Sequence, residues 1–169
     1  MIRLIIFLML FPTVILAKNQ TVYYDPQTVV LTGVLKTLQF PGAPNYSDIK
    51  NGDTAETGTY IILDKPIDVE ASPATKGSND NSSEKNVSLL QLVVPEKQFW
   101  EQIKEGHHVR IKGTLFHALT GHHHARVLIN LTQIQLLTQP KQNNPLHLTP
   151  EDKQFIEQQH VQLNNKNEH

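Results

Sequence analysis

The segment VSLLQLVVPEKQFWEQIKEGHHVRIKGTLFH, residues 87–117, carries the clearest fold signal in the chain. Val87–Val94 is rich in valine and leucine and stops at Pro95, which has no N–H to give a ladder. Pro95–Gly106 changes character. Proline at the first turn, Phe99 and Ile103 four residues apart and glycine at the stop predict a short amphipathic helix. In His107–His117, Val109, Ile111, Gly113 and Leu115 alternate with polar residues, the period of a half-buried strand. The stretch therefore reads strand, helix, strand.

Working outward, two strands are expected upstream and one downstream. Thr28–Phe40 sets Val29, Leu31, Gly33 and Leu35 against Val30, Thr32, Val34 and Lys36, and Gly33 marks a bulge or bend. Gly58–Leu63 is stopped by Asp64-Lys65-Pro66. His124–Leu137 places Val127, Ile129 and Leu131 on one face, with Gln133 as a candidate to follow them. The order β-β-β-α-β-β describes an all-β chain with one short helix, an OB-fold-like five-stranded barrel. Another small antiparallel barrel or sandwich is the competing arrangement. Closure into a barrel also removes most strand edges.

Three segments fall outside these strands. Pro41–Thr57 is a long loop, and Glu70–Asn86 is rich in serine, asparagine and lysine and reads as mobile. The tail, residues 138–169, is polar. It carries one helix signal near residues 150–162: Thr149 as cap, Pro150 at the first position, Glu151 and Asp152 in the first turn. Phe155 and Ile156 are the side chains that could dock such a helix, and the sequence leaves docked and loose states open.

The first 17 residues read as a signal peptide. Arg3 supplies a positive start, Leu4–Leu10 is an apolar run, and Val14-Ile15-Leu16-Ala17 leads into polar Lys18-Asn19-Gln20. An uncleaved anchor is the alternative, since about 17 apolar residues is the lower limit for a span. The expected layout is residues 1–17 leader, 18–137 barrel and 138–169 tail, in a bacterial periplasmic or secreted protein with no stable membrane anchor after cleavage. The chain has no cysteine, so it carries neither a lipoprotein motif nor a disulfide framework. Its formal charge is −1, becoming −2 when the single charge Arg3 leaves with the leader. That balance, with its scattered basic residues, argues against a nucleic-acid partner. Asn-x-Ser/Thr triplets at Asn45, Asn81, Asn86 and Asn130 would accept glycans only in a eukaryotic secretory route.

Histidine is the unusual residue. Six of the nine histidines lie between residues 107 and 124. If Ala118–Gly121 forms the hairpin turn, His117 and His122 oppose each other, with Cβ atoms about 4.5–5.5 Å apart. His124 then shares a face with His122. Three converging imidazoles could hold Zn or Cu. A solvated, pH-responsive loop and an adventitious chelator are the competing readings. His107 and His108 lie at the far end of the strand.

The long first loop is the second candidate. It is stiffened by Pro41 and Pro44, carries Tyr46 as an amphipathic contact, and brings acid groups at Asp48, Asp53 and Glu56. In an OB barrel this loop and the histidine-rich hairpin share the rim where ligands bind. Phe99 and Trp100 read as one core and one half-exposed residue. No Gly-x-Ser-x-Gly, no HExxH and no phosphate loop occurs, so no enzyme is expected.

Gly113-Thr114-Leu115-Phe116-His117-Ala118 followed by Gly121-His122-His123-His124 resembles the signature of the bacterial domain of unknown function 4431 family. PGAPNYSDIKNGD with Glu56 and Asp64-Lys65-Pro66-Ile67 is similar to the upstream half seen with it, so the likeness covers residues 28–137. Members are small exported proteins, some joined to modules resembling lysozyme inhibitors. The resemblance therefore implies an envelope context, and it implies no catalytic role. Members place threonine after the histidine run where this chain has Ala125-Arg126, which puts any role for that hydroxyl in doubt.

Together these features predict a binding module for an envelope protein or glycan. The expected contact set is Tyr46, Asp48, Asp53, His117, His122 and His124. The alternatives are a metal protein using His117, His122 and His124, and an inhibitor or immunity-type protein acting on an envelope hydrolase.

Overall fold

The computed structural model describes residues 18–73, 82–95, 97–138 and 147–159; the leader expected over residues 1–17 lies outside them. Six strands form in chain order: β1 (Gln20–Tyr23), β2 (Thr28–Pro41), β3 (Ala55–Glu70), β4 (Glu84–Val93), β5 (His108–His117) and β6 (Val127–Thr138). One helix, α1 (Pro150–Gln158), follows. Hydrogen bonding runs β1-β3-β2-β5-β6-β4, and β4 returns to β3. Strands β2 to β6 therefore form a ring in which only β4 and β6 run parallel. This is the OB-like connectivity expected, but the ring is not a clean barrel. β1 adds to β3 in parallel, Gln20 opposite Ile67, and register shifts interrupt the β3–β4 and β5–β6 ladders.

The strand that was expected to stop at Asp64-Lys65-Pro66 runs on to Glu70. Proline is tolerated there because β3 exchanges partners at that point. It pairs with β2 up to Leu63 and with β1 from Ile67. β4 likewise starts at Glu84, so part of the segment read as mobile is ladder.

The helix expected over Pro95–Gly106 does not form. Lys97–Phe99 makes a single 3-10 turn, followed by irregular turns. A short helix gains too few bonds to repay its nucleation, and the end of this segment is claimed by β2. Gly106 N–H donates to Leu35 O at 2.8 Å, and Leu35 N–H donates to His107 O at 2.9 Å. Phe99 is nevertheless buried and Ile103 packs on the core, so the apolar spacing was meaningful although the helix was not.

Inside the ring lie Val29, Leu31, Leu35, Ile61, Leu63, Leu90, Leu92, Val109, Ile111, Leu115, Val127, Ile129 and Leu131. Gly33 and Gly113 are required by close approach. A Cβ on Gly33 would stand 2.2 Å from Ile62 O, and one on Gly113 2.2 Å from Asn130 O. Gln133 does not continue the inner face of β6. The ladder passes from Lys112–Gln133 to Gly113–Leu131, skipping a residue, and Ile134 packs inward instead.

A second apolar layer lies on the opposite face of β2, β3 and β4: Leu38, Phe40, Tyr60, Ile62 and Leu89, joined by Ala125 and Ile156. Tyr60-Ile61-Ile62-Leu63 is buried at every position. A continuous apolar run of this kind belongs to a strand covered on both faces, and α1 with the β5–β6 loop supplies the cover.

Candidate functional site

The loop joining β2 to β3 (residues 42–54) is built around Asp53. This carboxylate, buried at 6% exposure, accepts from the backbone N–H of Asn45 (2.8 Å), Ser47 (2.7 Å) and Asp48 (2.9 Å). Hydrogen bonds from Ser47 and Asp48 hold its carboxyl far below the ordinary range, against the upward push of burial. Asp48 caps the 3-10 turn Ile49–Asn51 by accepting from Lys50 N–H at 2.8 Å. Both acids expected to contact ligand are thus engaged in shaping the loop. What they present is Tyr46, held at φ 54°, a left-handed conformation that a tyrosine rarely takes.

Tyr46 reaches the β5–β6 loop (residues 118–126). Its hydroxyl lies 3.1 Å from His122 Nε2, and the two rings meet edge to face. Nδ1 of His122 bonds to Glu56 Oε1. The other Glu56 oxygen lies 2.8 Å from His124 Nε2, and His124 Nδ1 lies 2.8 Å from Gln159 Oε1 just beyond α1. His124 also stacks on Phe40, centroids 4.4 Å apart. One chain of contacts, Tyr46–His122–Glu56–His124–Gln159, therefore ties two loops, a strand and the helix end together. The tautomer that gives its Nδ1 hydrogen to Glu56 leaves Nε2 to accept from the Tyr46 hydroxyl.

Electrostatics follow from this arrangement. Burial pushes the Glu56 carboxyl up, but hydrogen bonds from His124 and His122 outweigh it, and the group titrates below its ordinary value. His123 titrates lower than usual, first because it is partly buried and then because His122 and His124 flank it. Its Nδ1 accepts from Leu119 N–H at 2.8 Å, which needs the neutral ring. Beneath the chain, burial first and the Glu56 charge second push the phenol of Tyr60 up. That hydroxyl has no hydrogen-bond partner among the described residues. Beside the chain opens a recess of about 200 Å³ lined by Pro41, Tyr46, Thr120, Gly121, His123, His124 and Gln159.

His117 stands apart. It pairs with Val127, not His122, so the connecting loop is longer than the four-residue turn expected. His117 Nε2 lies 3.0 Å from Glu84 Oε1, Nδ1 faces Ala118 O, and its ring meets Tyr24 edge-on. The structure brings His122 and His124 together with Tyr46 and leaves His117 elsewhere. Among the described residues no three histidine, aspartate or glutamate side chains converge as a metal-ligand set.

The parts that hold the site in place carry little signal in the sequence. Glu56 was only one acid among several, and Gln159 and Phe40 were not singled out. Asp152 was read as a helix-start residue, yet it is 2% exposed. Its Oδ2 accepts from Ser88 N–H (2.6 Å), Leu89 N–H (2.9 Å) and Ser88 Oγ (2.8 Å). Its Oδ1 accepts from Arg126 Nε (3.0 Å) and Nη2 (2.8 Å). Arg126 Nη1 in turn donates to Glu84 Oε2 at 2.7 Å. The arginine that follows the histidine run thus clamps α1 to β4. Two signals of such a cover were in the sequence: the continuous apolar run of β3, and Ile156, expected as a docking side chain and now found buried.

A five-stranded OB-like ring with two loops meeting at one rim is the class of molecule this geometry defines. The family model described as a domain of unknown function (DUF4431) matches residues 89–135, from β4 to β6, and supports the resemblance seen in the GTLFHA and GHHH motifs. No curated protein and no solved structure matches the chain.

Proposed function

We propose that this chain is an exported binding module of the bacterial envelope, without catalytic activity, that takes a glycan at the rim formed by residues 42–54 and 118–126. The observation that carries the reading is the contact chain from Tyr46 to Gln159, which fixes four separate segments around a small recess. Its lining suits a hydroxyl-rich ligand: an aromatic ring to stack on, imidazole and amide groups to hydrogen-bond, and no strong excess of charge. OB folds bind oligosaccharides and oligonucleotides with these two loops, and the net charge of −1 disfavours the second.

Calorimetric titration with envelope glycan fragments tests this. Tyr46→Ala and His122→Ala are expected to weaken binding at least about tenfold, a loss of about 1.4 kcal/mol. His117→Ala should bind as the parent does. Loss with His117→Ala and none with His122→Ala would overturn the assignment of the rim.

A further inference from the structure

The ring has a second opening, far in sequence from the rim loops. β2 and β3 pair only from Gly33–Leu63 to Pro41–Ala55. Before Gly33, β2 bonds only to β5, and Asp64, Lys65 and Pro66 have no partner in any ladder. Where the two strands part lies a groove of about 750 Å³ lined by Lys18, Val30, Thr32, Asp64, Lys65 and Arg110, among others. A second groove of about 570 Å³ shares Val30 and Arg110 with it and adds Lys112, Gln133 and Gln135. The two grooves adjoin at Val30 and Arg110 and are taken together as one trough over β2, β5 and β6.

The charge of this trough differs from that of the whole chain. Four cations, Lys18, Lys65, Arg110 and Lys112, line it, and none makes an ion pair among the described residues. Its only carboxylate among the described residues, Asp64, is held by His108 at 2.8 Å. At its centre Val30 is 56% exposed. Cations flanking an apolar side chain, beside strand edges that lack ladder partners, are the elements of strand addition. Main-chain bonds supply affinity there, and alternate side chains supply specificity.

We propose that this trough is a docking site for an extended acidic peptide segment of a partner protein. The peptide lies along the free edge of β2 at residues 29–32, with its acids on Lys65, Arg110 and Lys112 and an apolar residue on Val30. The site is separate from the rim, so the glycan reading can fail without touching it.

Fluorescence anisotropy with a labelled peptide of alternating glutamate and valine tests the proposal on the full chain without its leader. Binding is expected to weaken at least about tenfold with Lys65→Glu or Arg110→Glu and to be unchanged with Lys153→Glu on α1. If a charge reversal unfolds the chain, Lys65→Gln with Lys112→Gln serves in its place, with the same loss expected. Hydrogen exchange supplies the strand-specific readout: amides at residues 29–32 should gain protection when the peptide binds. Equal affinity for an oligogalacturonate or a single-stranded oligonucleotide of the same charge would overturn the peptide assignment. So would unchanged binding in the variants, or unchanged exchange along β2.

Discussion

Replacing Asp152 with alanine should release α1 without unfolding the ring. The carboxylate accepts from the buried N–H groups of Ser88 and Leu89 and from Nε and Nη2 on one edge of the Arg126 guanidinium. Leaving a buried N–H unpaired costs about 1–3 kcal/mol, and breaking a buried ion pair by removing one partner costs about 3–5 kcal/mol. Arg126 keeps Glu84 and the carbonyl of Lys85, which reduces the second figure. The molecule also has a cheaper response. Undocking α1 lets water reach the orphaned groups and gives up mainly the burial of Ile156, about 1.5–3 kcal/mol. A total loss of about 3 kcal/mol follows, with a fall in Tm of roughly 6–12 °C. Hydrogen exchange read by mass spectrometry separates the outcomes. Amides at residues 150–159 should lose protection while β2, β5 and β6 keep theirs. Parental protection across α1, with Tm unchanged, would mean that Asp152 does not hold the helix in place.

Other outcomes follow from the same structure. Glu56 titrates below its ordinary value of 4.5 in the fold, so the stability it contributes is present above that value and is lost as pH falls through the depressed one; Tm measured between pH 5 and pH 3 should drop more steeply in the parent than in Glu56→Gln. His123 titrates below its ordinary 6.5, so its contribution is present above 6.5 and is lost as pH falls below it; NMR titration should find its midpoint lower than that of a free histidine, and the Leu119 amide should shift in step. Gly113→Ala sets a Cβ against Asn130 O and should destabilise by about 3 kcal/mol, the upper end of overpacking costs, as measured by urea denaturation.

Much of the ring was legible because alternation is a local signal. Val109, Ile111 and Leu115 point inward as their spacing requires, and glycine stands where strands come too close for a side chain. What escaped was set by partners distant in sequence. Whether Pro95–Gly106 becomes a helix depends on Leu35 taking Gly106 and His107 into its own hydrogen bonds. Whether β3 ends at Pro66 depends on β1 being there to receive it. The meeting of the two loops followed from the strand order, and Tyr46 and His122 are in contact. The grouping of His117 with His122 assumed a turn shorter than the one that forms. Asp48 and Asp53 looked available because a sequence shows carboxylates but not the backbone N–H groups that occupy them.

The rim formed by residues 42–54 and 118–126 is the proposed binding end. An ¹H–¹⁵N titration of residues 18–169 with bacterial glycan fragments is the sharpest test. Shifts confined to Tyr46, Gly121–His124 and Gln159, saturating with added glycan, are the predicted result. Shifts centred on His117 and Glu84, or none at saturating glycan, would contradict it.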